Sequence, residues 1–405
     1  MSLTSKIAWN TVIQIIGKGV STALGVAITF MMTHYLSHSS YGVYTFALVF
    51  TTMFGTLADW GLSLITVREA SKRPDEAKEI IGNVLVIRLL LAISAAILAV
   101  VFINLSQYDP QTKIVTSIAA IYLLALSLKT SFQIIFQAKL EMMSWAISEI
   151  AANVLTIILL ALLITIKADL VLIMFAFLAG NFLSAGVAAA LGYKLLPVRL
   201  SLVRSTTRFM LMEALPTGAI LVVFTIYNRI DTVILSFFKG PDAVADYGLA
   251  YRIFEVVVLG AAYFANSILP IISNMADKDR VKLGVFFRKA YVVLLYLGVG
   301  AAVTTWVLAP LAVGILGGNG YSGAIWNLRL LSFSLVVSYF NHLGGFTLIA
   351  LGKQWASFKI ALVALTVNIC LNLLLVPIFA APAAAINTFI TEGLIVILSL
   401  VVVRK

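Results

Sequence analysis

The fold is decided by long apolar stretches, and the clearest of them is residues 80–105, which read IIGNVLVIRLLLAISAAILAVVFINL. This stretch contains a single charged side chain, Arg88. A helix needs about 20 apolar residues to cross a hydrocarbon core of about 30 Å. The stretch therefore predicts a transmembrane helix that carries one arginine inside the bilayer.

Similar stretches recur along almost the whole chain of 405 residues, of which 61% are hydrophobic and 11% charged. Soluble domains are roughly 45–50% apolar and roughly 25% charged, so this composition excludes a water-soluble protein. We predict an all-α integral membrane protein of about twelve transmembrane helices with short loops. The predicted spans are 9–33, 42–64, 80–105, 114–136, 144–166, 169–193, 210–238, 244–272, 286–313, 323–351, 356–379 and 382–403.

The basic residues predict the orientation of these helices. Of the 28 lysines and arginines, eighteen fall at the two termini and in every second loop, and three fall in the other loops. Because cytoplasmic loops carry the excess of Lys and Arg, we expect both termini in the cytoplasm. The formal net charge of +11 is interpreted as this topology signal, and no nucleic-acid partner is expected.

A short repeat divides the spans into two halves. The tetrapeptide YGVY at 41–44 opens the second span, and YGLA at 247–250 opens the eighth. Both would run in the same direction, which predicts two six-helix lobes related by a parallel pseudo-two-fold repeat. The predicted lobes are 1–193 and 210–405. The cytoplasmic linker between them, 194–209, is either an amphipathic segment on the membrane surface or a plain connection.

The spans contain fourteen ionisable residues, although a charge at mid-bilayer costs about 2.5–3.5 kcal/mol on insertion scales. The basic ones are Lys18, Arg88, Lys129, Arg229, Arg252, Arg329 and Lys359. The acidic ones are Asp59, Glu149, Glu213, Asp231, Asp246, Glu255 and Glu392. Most are expected to pair with each other or to line a polar cavity. At about 1.5 Å per residue, the cations form a series across the membrane that suits an anionic headgroup.

Each of these charges also has a purely structural interpretation. Arg252 and Glu255 lie three residues apart on one helix face and can neutralise each other. Asp59 and Arg88 can pair between neighbouring helices. Four residues lie near helix ends, where their side chains can reach the interface: Lys359, Glu213, Asp246 and Glu149. For one residue, pairing and contact with a solute explain the charge equally well; for the whole group, a polar cavity is the better explanation.

The sequence lacks the motifs of catalysis and of cofactor binding. It has no phosphate-binding loop and no cluster of His, Cys and carboxylates at metal-binding spacing. Its single cysteine, Cys370, excludes an internal disulfide. We therefore expect no enzyme activity, no cofactor and no metal site, and transport driven by an ion gradient, the membrane potential or the substrate gradient.

Four local patterns support a resemblance that covers nearly the whole chain. They are IAWNT at 7–11, SYGVY at 40–44, RIDTVIL at 229–235 and ADYGLAY at 245–251. The chain resembles the multidrug/oligosaccharidyl-lipid/polysaccharide exporter superfamily, and within it the O-antigen and polysaccharide repeat-unit flippases. Lipid II flippases of this superfamily usually carry two further helices, which disfavours a role in peptidoglycan synthesis.

The resemblance implies a multi-pass flippase of a bacterial or archaeal plasma membrane. It would move a polyprenyl-diphosphate-linked oligosaccharide from the cytoplasmic to the outer leaflet, by alternating access to a cavity between two lobes. The predicted substrate-binding cations are Lys18, Arg88, Lys129, Arg229, Arg252 and Arg329. The predicted carboxylates for coupling to H⁺ or Na⁺ are Asp59, Asp231 and Glu392. The expected partners are this substrate, membrane lipids, a polysaccharide polymerase and a chain-length regulator.

Two other functions remain as alternatives. An ion-coupled multidrug or metabolite antiporter of the same superfamily would concentrate acidic residues in its cavity, whereas the spans here hold as many basic as acidic residues. That balance favours an anionic or amphoteric substrate. A membrane-embedded enzyme or polymerase is a weaker alternative, because such polymerases usually have a large outer loop and none is predicted here.

Overall fold

The computed structural model describes residues 3–278, 280–351 and 353–404, and it is helical over nearly all of these ranges. The side chains of Ile7 and Ala8 in the first quoted pattern, and all of Lys405, lie outside the described residues. The helices are α1 (Leu3–Tyr35), α2 (His38–Asp59), α3 (Leu62–Lys72), α4 (Ala77–Leu105), α5 (Pro110–Lys139), α6 (Met142–Thr165), α7 (Leu170–Leu195), α8 (Arg204–Lys278), α9 (Arg280–Gly317), α10 (Ser322–Ala350), α11 (Gln354–Phe379) and α12 (Ala381–Arg404). A short 3-10 helix, Gly318–Gly320, follows α9.

Each of the twelve predicted spans falls largely on a described helix. Eleven stretches in the described part of the chain are long and apolar enough to cross a membrane. One of them lies in α8, whose 75 residues contain both the seventh and the eighth predicted spans. The backbone of α8 is broken at Gly240, with φ 76° and ψ −173°, a conformation that glycine adopts without steric cost. The break separates the seventh predicted span, 210–238, from the eighth, 244–272, so that α8 corresponds to two of the twelve predicted spans.

The second predicted span, 42–64, is wrong at its inner end. Helix α2 stops at Asp59, and Trp60 and Gly61 adopt left-handed backbone conformations, with φ of 46° and 74°. A Cβ on Gly61 would lie 2.7 Å from the backbone nitrogen of Gly218, so this corner packs directly on α8. The corner also places Ser63 in the first turn of α3, where it can reach back to Asp59.

The chain forms two compact units, Met1–Thr225 (unit 1) and Ile226–Lys405 (unit 2), each of which is described by itself below. The division falls inside α8, so the first part of this helix packs with α1–α7. Met210 and Ala214 are fully buried there in one cluster with Leu62. Arg68 of α3 forms an ion pair of 2.6 Å with Glu213. The predicted lobe boundaries, 1–193 and 210–405, stay a prediction, and unit 1 extends beyond the predicted first lobe into the seventh span.

The segment between α7 and α8, residues 196–203, is non-helical and is held against α4. Asn83 donates a hydrogen bond of 3.3 Å from its amide to the carbonyl of Val203. Gly82 leaves no room for a side chain, since a Cβ there would lie 2.0 Å from the carbonyl oxygen of Arg199. This segment is therefore a docked connection and not a free amphipathic helix.

The first and third residues of the repeated tetrapeptides are buried in both units, whereas the second and fourth differ in burial. Tyr41 and Val43 in α2 are 4% and 3% exposed, and Tyr247 and Leu249 in α8 are fully buried. In each unit the first and third positions face the interior. This shared pattern supports the predicted relation between the two halves.

Candidate functional site

Arg88, the charge inside the stretch that decides the fold, is buried in unit 1 among three polar side chains. It is 2% exposed, and its Nη2 lies 2.8 Å from Oδ1 of Asp59 at the end of α2. Its Nη1 donates a hydrogen bond of 3.0 Å to the hydroxyl of Ser63 in α3. Its Nη2 also donates to the hydroxyl of Thr130 in α5, and Ser63 donates to Asp59. The pairing of Asp59 with Arg88 is therefore confirmed.

This network lines a pocket of about 240 Å³ inside unit 1. The polar residues of its lining are Asp59, Ser63, Arg88, Ser127 and Thr130. Two buried atoms of this lining, Arg88 Nε and Ser127 Oγ, have no hydrogen-bond partner among the described residues. Buried polar groups are nearly always hydrogen-bonded, to protein or to water. The pocket is thus suited to a ligand, or waters, that can accept hydrogen bonds.

Lys129 lies on α5, next to Thr130, but it belongs to a separate ion pair. Its Nζ lies 2.7 Å from Oε1 of Glu149 in α6, and its side chain is only 8% exposed. The ammonium group also lies 5.7 Å from the centre of the Trp145 ring. The sequence places Glu149 at the membrane interface, but the structure pairs it with Lys129 instead. A buried ammonium group needs a counter-charge, and Glu149 supplies it.

Lys18 is the exposed cation of unit 1. Its side chain forms no ion pair with any residue that the structure describes. The preceding residue, Gly17, packs on α6, because a Cβ there would lie 2.7 Å from the Cβ of Ala146. Lys18 therefore lies on a face of α1 different from the one that contacts α6.

In unit 2, Arg229 and Arg252 share one carboxylate of the same helix. Nη2 of Arg229 lies 2.8 Å from Oε1 of Glu255, and Nη1 of Arg252 lies 3.9 Å from Oε2. The guanidinium of Arg229 also lies 5.7 Å from the centre of the Tyr251 ring. The predicted pairing of Arg252 with Glu255 is confirmed. One carboxylate thus serves two guanidinium groups, and Arg252 makes the longer contact.

Asp231 lies close to Arg229 along α8, yet hydrogen-bond donors hold it instead of a cation. It is 3% exposed. One carboxylate oxygen accepts from the hydroxyl of Tyr247, and the other accepts from the backbone N–H of Thr232 at 2.7 Å. The tetrapeptide found by sequence repetition thus supplies a hydrogen-bond donor to a predicted site residue.

Amide side chains in α10, α11 and α12 form a polar cluster near Glu392 that the sequence analysis missed. Asn341 donates to the carboxylate of Glu392. Asn372 donates a hydrogen bond of 3.0 Å to the side-chain oxygen of Asn368. The side-chain amide nitrogen of Asn368 in turn donates to the hydroxyl of Thr391. Buried side-chain atoms without a partner among the described residues belong to Asn341, Asn372 and Asn387. The signal in the sequence was the presence of asparagines inside apolar runs, where an amide needs a partner.

Arg329 in α10 lies against two tryptophans. Its guanidinium carbon is 5.5 Å from the ring centre of Trp306 and 5.2 Å from that of Trp326. Its Nε also donates a hydrogen bond of 3.4 Å to the carbonyl of Trp306. Arginine is attracted to the faces of tryptophan rings, and tryptophan is enriched where membrane meets water. These contacts favour an anchor at the interface over a substrate ligand.

The predicted cations do not form one continuous series within either unit. Arg88 and Lys129 lie in different ion pairs of unit 1, and Arg229 and Arg252 share a third in unit 2. Neither the binding roles of these cations nor the coupling roles of Asp59, Asp231 and Glu392 are tested by these contacts, so they stay predictions.

A model of the family described as "Polysaccharide biosynthesis protein" matches residues 3–276. The chain belongs to this family. A second model, MatE, matches residues 216–374. The protein is thus a member of the polysaccharide transporter family within the multidrug/oligosaccharidyl-lipid/polysaccharide exporter superfamily, as the sequence resemblance predicts.

Curated relatives of this polysaccharide transporter carry related descriptions. A "Probable flippase AglR" of Haloferax volcanii is 29% identical over 42% of this chain and 36% of its own length. A "Putative O-antigen transporter" of Escherichia coli (strain K12) is 26% identical over 67% of this chain and 66% of its own length. The chain therefore spans about a third of the first relative and about two thirds of the second.

Solved structures show the fold of the family member. The lipid II flippase MurJ in an inward closed conformation matches with a TM-score of 0.80 at 17% identity, over 96% of this chain and 87% of that chain. An inward-facing multidrug resistance MATE family transporter matches with a TM-score of 0.77 at 16% identity, over 95% and 94%. The fold is thus that of the twelve-helix, two-lobe transporters. The protein is a multi-pass membrane protein of this superfamily.

Proposed function

We propose that this transporter is a flippase that moves a polyprenyl-diphosphate-linked oligosaccharide from the cytoplasmic to the outer leaflet by alternating access. A diphosphate is a compact anion that arginine and lysine bind through charge-assisted hydrogen bonds. Family membership supports the substrate class, and the contacts of the buried charges support its anionic character.

One observation carries this proposal: some cations at membrane depth lack a carboxylate of their own. Glu255 serves both Arg229 and Arg252, and Lys18 pairs with none of the described residues. An unbalanced cation inside a bilayer is costly unless a solute or water compensates it. We propose that Lys18 and Arg252 meet the diphosphate first, while Arg88, Lys129 and Arg229 bind it after exchange of their carboxylates. Arg329, which lies against Trp306 and Trp326, we propose as an interfacial anchor outside this set.

Transport needs an energy source, and we propose that carboxylates of the spans couple it to H⁺ or Na⁺. Asp231 and Glu392 each accept hydrogen bonds from neutral donors, Tyr247 and Asn341. A carboxylate with neutral partners can take up a proton or a small cation without first breaking an ion pair. Asp59 would act through its pairing with Arg88.

Deletion of the gene tests the function. Lipid-linked repeat units should accumulate on the cytoplasmic side and surface glycan should disappear, and a plasmid copy should restore it. Variants Lys18→Gln and Arg252→Gln should restore little, while Lys359→Gln, with the same charge change at an exposed position of α11, should restore it fully. Normal surface glycan in the deletion strain would refute the flippase.

A second candidate is an ion-coupled multidrug or metabolite antiporter, which the match of the MatE model over residues 216–374 favours. It predicts a different outcome of the same deletion. Surface glycan would remain normal, and the strain would become more sensitive to cationic dyes.

The cellular setting remains part of the proposal. We propose a plasma membrane location with both termini in the cytoplasm, and cooperation with a polysaccharide polymerase and a chain-length regulator. A reporter that is active only outside the cell, fused after the last helix, tests the orientation. External activity would refute it.

A further inference from the structure

We infer that the pocket around Arg88 is a phosphate-binding subsite. In the state described, the carboxylate of Asp59 occupies the position beside Arg88 that the phosphate would take. This inference rests on the proposed function and adds to it a specific competitor. An incoming phosphate group would have to displace Asp59 from Arg88 before it could bind.

The geometry of the guanidinium is the first argument. Arg88 is 2% exposed, and it uses Nη1 and Nη2 to contact Ser63, Thr130 and Asp59. Its Nε–H remains without a partner among the described residues. A guanidinium presents five N–H groups in a planar fork that matches the oxygens of phosphate. The side chain thus keeps an unused edge, although it is buried.

The lining of the pocket is the second argument. The hydroxyl of Ser127, on the neighbouring helix α5, is also buried and without a partner among the described residues. Together with Arg88 Nε it leaves two unpartnered donors among the residues that line one pocket. The volume of about 240 Å³ equals the share of roughly eight water molecules at about 30 Å³ each, which is ample for a phosphate group.

The position of Asp59 is the third argument. Its side chain is 24% exposed, whereas that of Arg88 is 2% exposed, so the carboxylate lies nearer to the mouth of the pocket. Asp59 and Arg88 are the ionisable groups of the lining. A second anion beside an intact pair would leave a net negative charge in the bilayer. The phosphate must therefore take the place of the carboxylate, which can turn outward to water.

Binding of a soluble probe to the purified full-length protein tests this exchange. The probe is inorganic pyrophosphate, measured by calorimetry in lipid nanodiscs. If Asp59 occupies Arg88 about nine-tenths of the time, Asp59→Asn should tighten binding about tenfold, because apparent affinity scales with the fraction of competent sites. Ser127→Ala should weaken binding several-fold. An Asp59→Asn variant that binds pyrophosphate no better than the wild type overturns the inference.

Matched variants separate this exchange from general charge effects. Asp109→Asn makes the same charge change at the N-cap of α5, where Asn caps a helix as well as Asp, and it frees no cation. It should leave binding unchanged. Ser131→Ala removes a buried hydroxyl that bonds to its own helix, and it should also leave binding unchanged. A gain in Asp109→Asn equal to that in Asp59→Asn overturns the inference.

The double variant Asp59→Asn with Arg88→Gln replaces the ion pair by two neutral side chains of similar size, so it should be less destabilised than a variant that loses Arg88 alone. It should lose the tighter pyrophosphate binding of Asp59→Asn; persistence of that gain overturns the inference.

A second probe, farnesyl diphosphate, identifies the source of the phosphate. Equal affinity for both probes indicates recognition of the phosphate alone, and stronger binding of farnesyl diphosphate indicates a lipid-linked ligand. Both outcomes require the Asp59→Asn gain. The proposed function can fail independently, if the deletion strain keeps its surface glycan.

Discussion

The two units bury an arginine at membrane depth in different ways. In unit 1, Arg88 is 2% exposed and has a carboxylate of its own, with two hydroxyl groups as further partners. In unit 2, Arg229 is 26% exposed and shares Glu255 with Arg252. The comparison indicates that unit 1 gives its arginine a carboxylate of its own in a closed network, whereas in unit 2 two arginines share one carboxylate.

Arg88→Ala should have the largest effect, because it leaves Asp59 partly buried without its counter-charge. Breaking a buried ion pair costs about 3–5 kcal/mol, so both thermal stability and flipping should fall sharply. Arg229→Ala should abolish flipping but change stability less, since Arg252 can turn to Glu255. Thermal unfolding in detergent and surface glycan in the deletion strain measure the two effects. Equal losses of stability would erase the distinction between the units.

Asp231→Asn should separate coupling from binding in unit 2. The amide can still accept a hydrogen bond from Tyr247, so the protein should insert and bind pyrophosphate normally. It cannot take up a proton or hold Na⁺ as a carboxylate does, so flipping should fall about tenfold or more if coupling adds a modest free energy of about 1.4 kcal/mol. Flipping in vesicles under imposed H⁺ or Na⁺ gradients measures this. Unchanged dependence on both gradients would remove Asp231 from the coupling set.

Two glycines with positive φ sharpen the comparison further. Gly61 in unit 1 has φ 74° and ψ 3°, and a Cβ would lie 2.7 Å from Gly218. Gly240 in unit 2 has φ 76° and ψ −173°, with open space around it. Gly240→Ala should cost about 1–3 kcal/mol, because this backbone region is open essentially to glycine alone. Gly61→Ala should cost more, because the contact with Gly218 adds to its own left-handed strain and the corner positions Ser63. Thermal unfolding of both variants measures the two losses of stability. Equal losses would show that the corner at Gly61 relaxes to accommodate the added methyl group.

Arg329→Gln should have the smallest effect. Its guanidinium lies over the rings of Trp306 and Trp326. A cation–π interaction of this kind contributes about 0.5–1 kcal/mol at an exposed site. Flipping should change by less than about threefold, while Arg252→Gln reduces it strongly. A loss in Arg329→Gln as large as that in Arg252→Gln would return Arg329 to the substrate site.

The sequence predicted the number of helices well because the thickness of the bilayer sets the length of each apolar run. It also predicted the pairs of Asp59 with Arg88 and of Arg252 with Glu255, in one case from neighbouring spans and in the other from spacing along one helix. It did not predict the pairing of Lys129 with Glu149 or the amide cluster at Glu392. Those contacts depend on how each helix is rotated, and a helix that is apolar all round gives no signal of its inward face.

The corner at Trp60 and Gly61 escaped prediction for a related reason. High hydropathy continues from α2 through the corner into the first residues of α3. A hydropathy average therefore predicts one helix, although the backbone turns at Trp60 and Gly61. The glycine was the available signal, but a single glycine inside an apolar run is common. The contact with Gly218 that requires it lies far away in the chain.

The packing of the start of α8 with unit 1 has a consequence for the covalent chain. Residues 204–225 are fixed to α3 and α4 by the ion pair of Arg68 with Glu213 and by the burial of Met210 and Ala214. A protease that cuts the exposed peptide near Leu202 would therefore sever the backbone without releasing either product. Two separately encoded polypeptides that meet at this point should assemble and purify together, so the protein can tolerate a split gene here.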